Sequence, residues 1–499
     1  MKYGSDHDAV RHVLTRRGFV GALGVLSLGV RAVAQGQSPV LESEQVSQLP
    51  GRHVARGSPD YENWRQSMTW QMYTAPRYPD IIVRPDKAAE VPDVVAHARK
   101  DGLKLAIKSG GHNVSAAFLR DGGMLLDLGE LQAIDVDPRD RIAWVEPALW
   151  SHGLLQGIQS HGLAFPIAHC ATVPMGGYLL GGGLGNNHDN WGTLACDSVL
   201  AAELVLASGE TIVASPDQHA DLYWAIRGSG TGFPGIVTRY KLKLYTAPET
   251  VLESSYIFPL TQLEAATGML QDWHRMKPKD TELMMLLAHS PMADSDAPPL
   301  EQKICIVRAV VYSASRSEAR ASLERLAAPP LTGDVAMKNE LVPTSLEQMQ
   351  VQSVDARMGL GFGRYAVDTV WTNRLPDVMA AVRDHFASAH SAKTHFVVSP
   401  KMNKALNNKA AASMIGDTFV GAYTMWDNAE DDTDNMRWLA GASQRMRPLA
   451  VGQYINEVDA FRDPSVLRRC FSADAWQRIT RLRQKYDPLG VFANWPGIG

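Results

Sequence analysis

Between Gly176 and Gly185 the chain reads GGYLLGGGLG, six glycines in ten residues. Glycine this dense is costly, because it loses more backbone freedom on folding than any other residue. The usual return is close approach of backbone N–H groups to an anionic ligand, a diphosphate above all. Tyr178, Leu179, Leu180 and Leu184 stand inside the run, where a solvated linker has no use for them. A dinucleotide crossover would also use glycines, but as G-x-G-x-x-G opening a helix after a strand, with an acid about 20 residues on. The spacing here does not fit. The stretch points to nucleotide binding in a different architecture.

The flanking sequence reads as a compact α+β block from about 76 to 245. DIIVRPDKAAEVPDVVAHARKDGLKLAIKSGGH is strand, helix, strand. Val91, Val94, Val95 and Ala98 repeat at helical spacing, and the run from Leu103 to Ile107 ends on a glycine pair. GGMLLDLGEL and DRIAWVEPAL are further strands, and VLAAELVLASGETIVAS is a hairpin turning at Ser208 and Gly209. DLYWAIRGSGTGFPGIVTRY reads as a short helix, a glycine-rich turn and a strand. From about 246 the glycines thin out. Val378, Val382 and Phe386 mark one face of a helix. The β-prone runs KICIVRAVVYSA, GRYAVDTVW, THFVVSP and DTFVGAYTMW alternate with such helices. That order predicts a sheet covered by helices.

Charge and cysteine use remove several function classes. The net charge of −4 offers no positive field for a nucleic-acid backbone. The four cysteines, Cys170, Cys196, Cys305 and Cys470, match no zinc spacing. His152, His161, His169 and His188 lack an H-x3-H pair and read as loop residues, so no metal is expected. No G-x-S-x-G elbow is present. The N-terminal LTRRGFVGALGVLSLGVRAVAQGQ carries Arg16 and Arg17, a mild apolar stretch and the small-x-small Ala32-Val33-Ala34. It predicts a twin-arginine leader over residues 1–34, with the translocase as export partner and a periplasmic or secreted mature chain. No other apolar run nears the roughly 20 residues of a membrane span, so no stable membrane insertion is expected after processing.

Four stretches, taken in order, resemble the berberine-bridge-enzyme-like FAD-linked oxidases of the vanillyl-alcohol-oxidase and p-cresol-methylhydroxylase (PCMH) fold group. IKSGGHN resembles R-S-G-G-H. CATVPMGGYLLGGGLG resembles C-P-T-V-G-x-G-G-H-x-x-G-G-G-x-G. DLYWAIRGSGTGFPGIVT resembles D-L-F-W-A-L-R-G-G-G-x-x-F-G-V-V-T, and RLRQKYDPLGVFANWPGI resembles K-Y-D-P-x-x-x-F-x-x-N. The resemblance implies an α+β fold: a two-part FAD-binding domain, residues 45–245 completed by 445–499, with an inserted substrate domain, 246–444, of antiparallel sheet backed by helices.

It further implies that His112 bonds covalently to the flavin 8α-methyl group and that Cys170 tethers flavin C6. It places Lys108, Ser109, Gly110, Gly111 and Asn113 of the first stretch at the cofactor. From the second come Thr172, Val173, Gly176, Gly177, Tyr178, Gly181, Gly182 and Gly183. Gly235, Ile236 and Val237 follow from the third, with Asn456 and Asn494 near the C-terminus. Lys108 stands for the usual arginine, Ala171 for a proline, Pro174 for a glycine and Tyr178 for a histidine. Tyr178 is expected to donate to a ribityl or ring oxygen. Val173 falls at the family's oxygen gate, where a small side chain resembles oxidases; it reads equally as a core valine.

The base that takes a substrate proton is expected at Tyr423, in GAYTMW, or in GQYINEVD. There Tyr454 and Asn456 match Y-x-N-Y-x-D, while Glu457 replaces the second tyrosine. A tyrosine, with a reference pKa near 10, needs nearby positive charge for this work; a carboxylate does not. The implied reaction is hydride transfer from an alcohol or similar C–H of a sugar, phenolic, alkaloid or polyketide type of substrate. Dioxygen then reoxidises the flavin and yields hydrogen peroxide. A dehydrogenase with another acceptor, and an exported flavin-binding protein without turnover, stay open as alternatives.

Overall fold

The short apolar runs before residue 130 pair into a four-stranded sheet. Its strands are β1 (Arg52–Ala55), β2 (Ile81–Arg84), β3 (Leu105–Lys108) and β4 (Met124–Asp127), in the order β1-β2-β4-β3. β2, β4 and β3 run parallel. Parallel strands are covered on both faces, so β2 and β4 are buried at every position. The helix Val91–Lys100 lays Val91, Val94, Val95 and Ala98 on Ile81, Val83, Leu105, Met124 and Leu126. The C-terminal segment joins the free edge of β3, where Leu105 bonds through its backbone to Val491 and Ala493. The computed structural model describes residues 49–330, 332–355, 363–401 and 409–496. The expected leader over 1–34 lies outside the described residues.

Seven further strands follow: β5 (Ile134–Asp137), β6 (Ile142–Val145), β7 (Leu163–Ala164), β8 (Val199–Val205), β9 (Thr211–Ala214), β10 (Ile236–Lys243) and β11 (Tyr245–Thr246). Five of them form an antiparallel sheet, β5-β6-β10-β8-β9, and β7 pairs with β11. The hairpin of β8 and β9 turns at Gly209, whose φ of +88° suits glycine.

The remaining strands are β12 (Thr250–Pro259), β13 (Thr281–His289), β14 (Lys303–Ser313), β15 (Met337–Thr344), β16 (Arg364–Thr372), β17 (His395–Pro400) and β18 (Thr418–Trp426). They make one seven-stranded antiparallel sheet, β15-β12-β14-β13-β17-β18-β16. Period-two alternation divides its residues. Leu283, Met285, Val307, Ala309, Phe396, Val398, Val420 and Ala422 join one core with the helices Leu263–Met276, Leu375–Ala387 and Asp432–Met446. Glu282, His395 and Tyr423 alternate with these core residues and belong to the other face. Mixed helices and antiparallel sheets make this the expected α+β fold.

β3 and β4 end side by side on a buried charge group. Asp127, wholly buried, meets Lys108 Nζ at 2.7 Å and Arg84 Nη2 at 2.5 Å. Burial alone would raise the Asp127 pKa; the two cations hold it below the usual carboxylate range. This stabilisation is present above the unfolded carboxylate pKa and is lost as pH falls below it. Asp127→Asn leaves two buried cations facing each other. We expect a loss of about 3–5 kcal/mol, read as a lower denaturant midpoint at neutral pH.

Candidate active site

β3 hands the chain to the loop Ser109–Asn113, and two glycines let that loop enter a narrow slot. A Cβ on Gly110 would collide with the Pro174 ring. One on Gly111 would collide with the Met68 carbonyl, and Gly111 also has a φ of +75°. The same holds along the glycine run. Cβ atoms at Gly176, Gly181, Gly182, Gly183 and Gly185 would strike Pro147, Asn456, Leu194, Tyr178 and Pro166, respectively. Only Gly177 in that run is exposed with open space before it. On the side a Cβ would take, most of these glycines therefore allow close packing of protein on protein.

The slot presents His112. Its Nε2 lies 3.1 Å from Thr172 Oγ1 and 3.7 Å from Cys170 Sγ. The Cys170 sulfur is in turn 3.4 Å from Thr172 Oγ1. Burial pushes the His112 pKa down to about 4, so the imidazole is neutral at ordinary pH. Trp70 lies flat on it, with ring centroids 4.2 Å apart and planes 7° from parallel. Two residues sixty apart in sequence, one on each stretch singled out above, thus meet.

The two alternatives for the base are one hydrogen-bonded pair. Tyr423 Oη donates to Glu457 Oε2 at 2.6 Å. Burial raises the Glu457 pKa to about 7, against the opposing effects of Tyr423 and His169. Burial and the adjacent Glu457 push Tyr423 well above 10. The ring stacked on Tyr423 is His395, whose own pKa is lowered by burial, so it brings no cation. Among the described residues Tyr423 therefore lacks the positive charge a tyrosine base requires, and Glu457 is the member able to accept a proton near neutrality.

Other expected residues are placed differently. Lys108 spends its ammonium on Asp127 and on the Ser109 carbonyl. Tyr178 donates to the Pro166 carbonyl at 2.7 Å, not to an open space, because its ring is packed under Gly183 and Gly185. Tyr454, expected to be catalytic, is a buried tie: its oxygen accepts from Gly183 N and from Asn456 Nδ2, each at 3.1 Å. Asn456 also donates to the Tyr178 carbonyl and accepts Asn113 through its own carbonyl. Val173 is half-buried, its carbonyl held by Ser151. Gly235, Ile236 and Val237 lead into β10, paired through Ile236 and Val237 with β8. Asn494 lines a separate cavity of about 810 Å³ with Trp476, Arg120 and Trp495, a set that excludes His112, Cys170, Tyr423 and Glu457.

Sequence reasoning missed a second acid–base pair. His169, read there as a loop residue, places Nε2 2.5 Å from Glu282 Oε1 on β13. Glu282 also accepts from Tyr312 Oη at 3.0 Å and from Asn187 N at 2.8 Å. Burial would raise its pKa, but His169, His188 and Lys401 hold it far below the carboxylate range. Behind it, Lys401 Nζ meets His188 Nε2 at 3.0 Å, and Lys277 Nζ meets Asp189 at 2.5 Å. Nothing in local spacing signals this group, since its members come from α-helical, β-strand and loop segments far apart in sequence.

The residues present fit a flavin. The indole Nε1 of Trp70 and the Ser229 hydroxyl are buried without partners among the described residues. A neutral imidazole, a thiol and the open face of Gly177 belong to the same two stretches. If Tyr454 is a structural tie, Tyr454→Phe strands two buried donors, at about 1–3 kcal/mol each. A thermal melt should show a clear drop; an unchanged midpoint would refute the tie.

Comparison with known proteins places this geometry. Residues 79–215 match the FAD binding domain family. An FAD-linked oxidoreductase of Penicillium janthinellum is 27% identical over 436 residues, covering 86% of this chain and 93% of the relative. The crystal structure of 6-hydroxy-D-nicotine oxidase from Arthrobacter nicotinovorans superposes with a TM-score of 0.76 at 21% identity, over 90% of this chain and 98% of that one. A berberine-bridge-enzyme-like protein of Arabidopsis thaliana gives a TM-score of 0.75 at 19% identity, over 90% and 98%. On the matched domain, the full-length relative and the shared fold, the chain is an FAD-linked oxidoreductase with the berberine-bridge-enzyme-like architecture.

Proposed function

We propose that this enzyme is an oxidase: it removes hydride from an alcohol or similar C–H of a small organic substrate, with dioxygen as the final acceptor and the flavin bonded to His112 and Cys170. One observation carries the reading. A neutral imidazole and a thiol stand 3.7 Å apart on two glycine-eased loops, while the separate Tyr423–Glu457 pair supplies a proton acceptor. Bound there, FAD supplies the two-electron acceptor and a route for those electrons to dioxygen. His112 and Cys170 would hold its ring, and Gly177 leaves room beside the second loop.

The chain's own task is the proton. Glu457, ionised above its pKa of about 7, accepts the proton of the substrate hydroxyl as hydride leaves carbon. Tyr423 orients that carboxylate and can relay: its phenolic proton moves to Glu457 as it takes the substrate's. The net proton then rests on Glu457, and no standing tyrosinate is needed. The half-buried Val173, a small side chain at the position of the family's oxygen gate, is consistent with an oxidase. The Arg16-Arg17 leader supports export of the folded, flavin-loaded chain to the periplasm or beyond.

The test begins with intact mass and visible spectrum. The purified chain should be yellow, heavier by one FAD and unchanged in colour after acid precipitation. Mixed anaerobically with sugars, phenolics, alkaloids and polyketides, it should bleach with one class and, on admitting air, release one peroxide per turnover. Bleaching reversed only by an artificial acceptor would make it a dehydrogenase. No bleaching by any class would leave a flavin-binding protein.

The pH dependence follows from Glu457. Protonated below about pH 7, it cannot accept, so bleaching should quicken with rising pH and level off above that value. Tyr423→Phe removes a donor that favours the carboxylate, so the inflection should move to higher pH. Glu457→Gln should slow bleaching by roughly 10²–10⁴-fold. A profile left in place by both changes would assign the base elsewhere.

A further inference from the structure

We propose that Trp70 is the positioning residue for covalent flavin attachment, fixing the plane of His112 so that a ring nitrogen stays aimed at the flavin methyl carbon. The inference rests on the covalent-flavin reading above. An imidazole on a loop has two soft side-chain torsions, and bonding at a ring nitrogen requires its in-plane lone pair to face the carbon. Thr172 touches one ring atom, at 3.1 Å. Cys170 Sγ approaches the same edge at 3.7 Å, and contacts at a ring's edge present no flat surface to set its plane. Trp70 supplies what is missing, a flat surface parallel to the imidazole within 7°.

Trp70 is itself built in from three sides. Its backbone N–H donates to the Gly111 carbonyl at 3.1 Å, tying it to the loop that carries His112. Its far side meets Tyr365 of β16, with ring centroids 4.4 Å apart, and Met425 of β18 joins the same cluster. Next to it, the Gln71 side chain donates to the Val114 carbonyl and accepts from the Tyr365 backbone N–H, both at 2.7 Å. The indole is 5% exposed. So large a ring, packed between the histidine loop and the seven-stranded sheet, gives His112 a firm flat surface.

The chemistry it serves balances as follows. A bond forms between a His112 ring nitrogen and the flavin methyl carbon; one C–H and the imidazole N–H are given up. The two electrons released pass to dioxygen, which leaves with the two protons as hydrogen peroxide. The neutral state of His112 leaves a lone pair for that bond. Holding the reacting atoms in line is worth orders of magnitude in rate, and misplacement by an ångström can cost about a hundredfold.

The test compares Trp70→Phe with Trp70→Leu, each in the whole chain carrying Cys170→Ala so that the second tether does not mask the first. Bound flavin is read from the visible spectrum. Attachment is read by adding FAD to flavin-free protein in air and mapping the His112 peptide by mass over time. Trp70→Phe keeps a flat surface and should still attach. Trp70→Leu should bind flavin yet form the His112 adduct on the order of tenfold more slowly. Attachment in Trp70→Leu at the rate of the Cys170→Ala parent overturns the proposal, as does equal loss in the Phe and Leu variants. If Trp70→Leu does not fold, Tyr365→Leu removes the support behind the indole and carries the same expectation and the same refutation. A parent with no adduct on His112 overturns the covalent reading itself, whatever the variants do.

Discussion

The site hangs on a steric constraint: two residues in the loop after β3 have no side chain because there is no room for one. Gly110 faces the Pro174 ring and Gly111 faces the Met68 carbonyl. The first contact locks the histidine loop to the cysteine loop. The second locks it to the segment that delivers Trp70. Any Cβ there would push His112 away from both Thr172 and the indole. The backbone entropy lost at the glycines is thus exchanged for the placement of one imidazole.

Charge is distributed with equal consistency. Groups beside the expected flavin are neutral or poised: His112 with a pKa of about 4 and Glu457 at about 7. The full charges lie behind them. Lys108, Arg84 and Asp127 close the ends of the parallel strands. Glu282, Lys401, Lys277 and Asp189 sit where residues 169–189 meet β13 and the end of β17. A buried carboxylate with several donors stays ionised, so Glu282 is a fixed negative pole and Glu457 the one able to exchange a proton. One carboxylate is saturated with partners and the other has, among the described residues, Tyr423 alone as a side-chain donor, which is why the two titrate so differently.

Much of the fold was legible in the sequence. The helix Val91–Lys100, the hairpin at Gly209 and four strands of the large sheet, β14, β16, β17 and β18, follow from periodicity and turn chemistry, which depend on near neighbours. His112, Cys170 and Thr172 were legible through motif resemblance, and the structure draws them together. Lys108, Tyr178 and Tyr454 were assigned to the cofactor or the chemistry by position in a motif. Their polar atoms are instead spent on Asp127, Pro166 and Gly183. A motif states which residue stands on a loop; it does not state where the hydroxyl or ammonium finds its partner. Trp70 and Glu282 were not legible at all, since each meets its histidine across a wide separation in sequence.

By itself, the sequence determined several of the strands and helices, among them the parallel strands and four strands of the large sheet, where the chain must bend without side chains, and which imidazole and thiol carry the expected attachment. Those are local properties, written in period, in glycine and in motif. Tertiary structure alone decided that Tyr423 and Glu457 form one pair, that His169 answers to Glu282, and that Trp70 covers His112. The reason is physical: a pKa, a stack and a proton path depend on distances between side chains, and those distances exist only once the sheets have closed on one another.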